Sequence, residues 1–144
     1  MFTNNPTKCL TATALSLLLI APAARSAVIE YEATLSGASE PPPTSSTGTG
    51  FAEVFFNNIS QMLEVKVSFS GLTGTTTASH IHAPTIAPFT GSAGVATTVP
   101  SFPGFPTGVT SGTYDHTLDL TSAASYNPVF LTANRGTAAA PKRP

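Results

Sequence analysis

The sequence predicts an all-β fold ending in one short helix, and three observations carry that expectation. Three segments alternate apolar and polar residues with a period of two, the pattern of a strand with one buried face. Beyond residue 27 the chain is rich in Thr, Ser, Val, Phe, Gly and Pro and poor in Lys, Glu and Leu, a composition that favours strands and turns over helices. The single cysteine, Cys9, lies in the N-terminal segment, so stability must come from a packed core or a ligand and not from disulfides.

The first 27 residues read as a secretory signal peptide. Lys8 supplies a positive start, residues 10–21 form an uncharged run rich in Leu, Ala and Ile, and small residues surround Ala23. Cleavage after Ala23 leaves Ala at both small-residue positions, whereas cleavage after Ala27 places Arg25 where a small residue is wanted; processing is expected between these points. The apolar run falls short of the roughly 20 residues that span a bilayer, and no later segment approaches that length. Cys9 precedes the apolar run, so it is not a lipidation site. Export leads to the periplasm or the extracellular medium, with about 117 residues left, enough for one small domain.

The elements follow in order. Ile29, Tyr31, Ala33 and Leu35 alternate with Glu30, Glu32, Thr34 and Ser36 to give a first strand. Pro41, Pro42 and Pro43 cannot donate ladder hydrogen bonds and mark an extended loop. Residues 50–56 form a second strand, and Asn57-Asn58-Ile59-Ser60 turns it into a third, in which Leu63, Val65, Val67 and Phe69 alternate with polar residues. Residues 91–99 are expected to hold a short strand. The next segment, 100–112, has three prolines and should be loop. Tyr114, His116, Leu118 and Leu120 alternate with Asp115, Thr117 and Asp119 in a further strand. Asn127-Pro128 then offers an N-cap and a first helical position for a helix over 129–134, with Gly136 suited to its stop. Residues 138–144 form a small, basic, proline-bearing tail expected to be disordered.

Charge excludes two classes of partner. Between residues 28 and 134 the acidic residues are Glu30, Glu32, Glu40, Glu53, Glu64, Asp115 and Asp119, against Lys66 alone. Nucleic acids and anionic membranes both demand clustered Lys or Arg, so neither is expected as a ligand.

The candidate site is Ala78-Ser79-His80-Ile81-His82-Ala83-Pro84. On an extended chain residues i and i+2 project together, about 7 Å apart at the backbone, so His80 and His82 share a side and can chelate copper or zinc. The competing reading sends Ile81 into the core and leaves both imidazoles in solvent or hydrogen-bonded locally; two imidazoles without a third donor bind metal weakly. His116 lies on the apolar face of its strand, away from Asp115 and Asp119. Catalysis has less to offer. The chain has no Gly-x-Ser-x-Gly elbow, no cysteine nucleophile after the leader and no phosphate loop between strand and helix. Glu30 and Glu32 share a face, as carboxylates on exposed strands often do.

The order Ala33-Thr34-Leu35-Ser36-Gly37, Glu40-Pro41-Pro42-Pro43, Thr47-Gly48-Thr49-Gly50, Phe69-Ser70-Gly71-Leu72 and His80-Ile81-His82-Ala83-Pro84 resembles the CHRD domain, named for chordin and common in secreted bacterial proteins. The run from Ser125 to Asn134 resembles a segment of bacterial members. The resemblance spans residues 28–137 and implies a secreted, non-enzymatic binding or structural module folded as a Greek-key β-sandwich. Family members usually continue into a strand pair with an Asn-x-His-Thr segment and a Gly-Glu-Ile-Arg-Gly ending, and this chain has neither. It is therefore expected to be truncated, as a frameshift near Arg135 would produce, and to lack a sorting anchor. The loss would expose a core face and a sheet edge, open to a protein partner or to self-association. A fainter similarity links Gly71-Leu72 and His80-Ile81-His82 to the strand that carries copper ligands in copper/zinc superoxide dismutases. Topology can be shared without activity. A dismutase needs more histidines than His116 can supply.

Overall fold

A computed structural model describes residues 28–40, 42–87 and 90–134. The expected signal peptide, the basic tail and Gly136 lie outside the described residues. The strands are β1 (Val28–Ser36), β2 (Thr49–Asn57), β3 (Met62–Ser70) and β4 (Gly112–Asp119), followed by helix α1 (Pro128–Ala133). All four strands and the helix fall where alternation and capping place them. Asn57 accepts hydrogen bonds through Oδ1 from the Ile59 and Ser60 amides, both at 3.0 Å, which closes the β2–β3 hairpin. Asn127 caps α1 by accepting from the Val129 amide at 3.0 Å, with Pro128 in the first turn.

The four strands form one antiparallel sheet in chain order. Register decides its two faces. Tyr31 opposes Val54, Val54 opposes Val65, and Val65 opposes His116, so the apolar alternates of all four strands share an inner face. One residue along, Glu32, Glu53, Lys66 and Asp115 form a row on the outer face. A slip of one residue would bury that charged row, which fixes the register strongly.

The all-β class holds, but the second layer is not a regular sheet. No Greek-key crossover is formed among the described residues: the sheet is a meander, and its inner face is roofed by coil joined through the isolated bridges Ser79–Ser101, His82–Val95 and Thr97–Tyr126. The short strand expected over 91–99 is reduced to the bridge residues Val95 and Thr97. Prolines at 84, 100, 103 and 106, with Gly91, Gly94, Gly104 and Gly108, interrupt any longer ladder in this layer.

The roof leaves β1 least covered. Val65, Phe102, Tyr114, Leu118 and Leu120 are buried, and Val54, Phe56, Leu63, Val67, Ile81, Phe105 and Tyr126 pack against them, so the core centres on β3 and β4 and reaches β2. Burying a side chain such as Val65, which is 2% exposed, contributes about 1.5–3 kcal/mol. On β1, by contrast, Ile29 and Tyr31 remain 40% and 51% exposed although they point to the inner face. No described strand pairs with the outer edge of β1.

The Thr47-Gly48-Thr49-Gly50 stretch has a packing cause. A Cβ on Gly50 would lie 2.6 Å from the Ser68 carbonyl oxygen and 3.1 Å from Phe69 Cβ. Gly50→Ala is therefore expected to cost about 1–3 kcal/mol through overpacking. Gly74→Ala, whose Cβ would meet nothing within 4 Å, should change stability by less than about 0.5 kcal/mol. Urea denaturation of the two variants measures the contrast; equal losses would remove the packing explanation.

Candidate functional site

The segment carrying His80 and His82 is extended but flat against the roof, and its backbone is fastened on every side. The Ser79 amide donates to Pro100 O at 3.1 Å, and the Ile81 carbonyl accepts from the Ala96 and Thr97 amides at 2.9 and 3.3 Å. The Ala83 amide donates to Gly94 O at 2.8 Å. The Ile81 amide has no carbonyl opposite it and donates instead to Thr97 Oγ1 at 2.8 Å, a residue that is itself buried. Ile81 packs against the core, as expected from alternation.

Each imidazole is then fixed by a carbonyl. His82 Nδ1 lies 2.6 Å from Ala93 O and His80 Nδ1 lies 3.2 Å from Pro100 O. A carbonyl oxygen only accepts, so each Nδ1 bears a hydrogen, which in the neutral ring leaves the lone pair on Nε2. The ring centres are 5.1 Å apart with the planes tilted by 55°. Both rings border an open cavity of about 720 Å³, whose apolar floor includes Leu35, Val54, Phe69 and Phe105.

The third histidine is placed elsewhere. His116 is exposed on the edge strand β4, opposite Val65, with its ring 5.9 Å from that of Tyr114, and it does not border the cavity of His80 and His82. Among the described residues, the group of three or more potential metal-ligating side chains that comes together is Glu30, Glu32 and Glu53. A dismutase-like cluster of histidines is not assembled. The joining of Glu53 to Glu30 and Glu32 is missed by reading each strand alone; the signal was the register, which sets Glu32 against Glu53.

The outer face around that trio is strongly acidic. Lys66 Nζ lies 3.0 Å from Glu64 Oε1 and 5.2 Å from the Phe55 ring centre. The hydrogen bond that Lys66 donates to Glu64, aided by the charges of Glu64, Asp115 and Glu53, raises the Lys66 ammonium above its ordinary value, so it stays charged. One ammonium faces six carboxylates on this side of the sheet: Glu30, Glu32, Glu53, Glu64, Asp115 and Asp119.

The roof is pinned by Tyr114. Its ring stacks on Phe102 with centres 5.7 Å apart, meets Phe105 at 5.3 Å, and its hydroxyl donates to Pro103 O at 3.2 Å. Phe105 in turn stacks on Phe69 at 5.7 Å. Phe102 and Phe105 lie in the segment expected to be loop, and their anchoring role is not signalled by any periodicity.

A four-stranded antiparallel meander with a coil roof and one short helix defines a small all-β module. The CHRD domain family matches residues 31–140, and the chain belongs to that family. CHRD domains are generally extracellular and are not a known enzymatic family. No curated protein matches the chain, and no solved structure does. Among the described residues no helix is long and apolar enough to cross a membrane.

Burial holds the phenols of Tyr114 and Tyr126 above their ordinary value of 10.0, and the charge of Asp119 pushes Tyr126 further. The protonated form is favoured in the folded chain, so this stabilisation is complete below the unfolded value and is lost as pH rises through the folded one. Stability is expected to fall above about pH 10, and the fall should be shallower in Tyr114→Phe, which also costs about 1 kcal/mol at neutral pH through the lost bond to Pro103. Denaturation midpoints from pH 7 to 11 check both; an unchanged alkaline slope in the variant would contradict the linkage.

Proposed function

We propose that this chain is a secreted, non-enzymatic CHRD-type binding module that takes an extended segment of a protein partner along β1. The observation that carries this reading is the state of β1 itself: nine residues of edge strand, with no described partner on the outer ladder and with inner-face side chains left exposed. A strand laid against such an edge gains backbone hydrogen bonds and, on alternate residues, an apolar surface.

Charge favours a partner over a second copy. Antiparallel pairing of two β1 strands about their middle would bring Glu32 of one copy against Glu32 of the other, each already opposite Glu53. Like charges directly opposed destabilise a sheet. A segment alternating apolar and basic residues would instead cover Ile29 and Tyr31 with one face and set Lys or Arg beside Glu30 and Glu32 with the other.

The test uses capped peptides of Val-Lys repeats and Val-Glu repeats, added to the processed chain and followed by amide NMR and calorimetry. The Lys peptide is expected to bind at least about 10-fold more tightly, about 1.4 kcal/mol, and to protect the β1 amides from exchange. The double variant Glu32→Lys/Glu53→Lys should reverse the preference. Equal binding of the two peptides, shifts confined to other strands, or dimerisation through β1 in sedimentation at neutral pH would overturn the reading. N-terminal sequencing of exported protein should find a first residue between 24 and 28; retention of Met1 in the exported form would exclude signal cleavage.

A further inference from the structure

The histidine pair is built more carefully than two solvated imidazoles require. Its backbone is held on both flanks by bonds to residues 94–100, and the Ile81 amide between the two histidines donates to the Thr97 hydroxyl. Each Nδ1–H is committed to a backbone carbonyl. This is the arrangement that orients metal-binding histidines and raises the basicity of the other nitrogen.

The spacing of the rings leaves room for one shared ion. An ion about 2.0–2.1 Å from an imidazole nitrogen lies roughly 3.2 Å from the ring centre, so two rings on one tetrahedral ion have centres about 5.2 Å apart. Two rings at neighbouring corners of a square have centres about 4.5 Å apart. The observed 5.1 Å falls inside that interval, close to the tetrahedral end.

From the fixed tautomers and this spacing we infer that His80 and His82 bind one Zn²⁺ or Cu²⁺ ion through their Nε2 atoms. Two protein ligands leave the remaining coordination positions to water or to a donor entering from the cavity, so the ion is exchangeable and the site differs from closed structural zinc sites with four protein ligands. Imidazole suits both metals, and an open nitrogen site of this kind takes Cu²⁺ more tightly than Zn²⁺. The inference stands apart from the proposed strand partner, since none of its residues lies on β1.

Long-range ¹H–¹⁵N spectra of the imidazoles in the full processed chain, recorded with and without one equivalent of ZnCl₂, give the most direct test because they need no variant. Zinc should shift Nε2 of His80 and His82, leave both Nδ1 atoms protonated, and leave His116 unmoved. Calorimetry with ZnCl₂ and CuCl₂ should give one ion per chain, weakened about 10-fold or more by His80→Ala and by His82→Ala and unchanged by His116→Ala. The Cu²⁺ complex should show electron-spin coupling to two nitrogens. Coordination through Nδ1, equal shifts at His116, stoichiometry above one that survives both variants, or no uptake of either metal would overturn the site.

Discussion

The contact on which the rest of the molecule depends is the packing of Phe102 and Phe105 on Tyr114. A chain of this size with no disulfide in its folded part has to bury enough apolar surface to offset the entropy of ordering it. The roof has little regular hydrogen bonding to hold it down, so aromatic side chains do that work: Phe69, Phe105, Tyr114 and Phe102 run as a connected series from the top of β3 across to the loop. Everything placed by the roof, including the segment of His80 and His82, inherits its position from these rings. The bridge between Ser79 and Ser101 sits one residue from Phe102 and transmits the anchor to the histidines.

The two faces of the sheet solve different problems. The inner face needs cover and finds it over β3 and β4. The outer face is charged along its whole width, and its excess of carboxylates works against close approach of another such face. Edge strands are a standing hazard for aggregation, and acidic residues beside an edge are one way natural proteins discourage pairing of like with like. Glu30 and Glu32 give the exposed edge that protection.

The sheet was legible in the sequence because its residues obey one local rule. Alternation in β1, β3 and β4 fixed both the strands and the faces, and Asn127-Pro128 fixed the helix start. The inward packing of Ile81 was legible for the same reason. What local pattern could not carry was anything that depends on register or on contacts between distant segments: Glu53 meeting Glu30 and Glu32, Thr97 capping the Ile81 amide, Ala93 and Pro100 choosing the histidine tautomers. The 91–99 segment reads as a strand because Val95 and Thr97 have strand propensity, yet each finds only a single bridge partner. A ladder needs a neighbour of matching length, and the prolines and glycines of the roof provide none.

The half-covered sheet also sets a gradient of local stability across the fold. Both edge strands are held by one ladder, but β4 carries the buried Tyr114 and Leu118 whereas β1 has little apolar contact, so β1 is the end expected to fray first. On the proposed reading, binding at that end would order a strand that is held loosely beforehand. Part of the interaction energy would go into that ordering, which would lower affinity for a given contact area and leave association readily reversible.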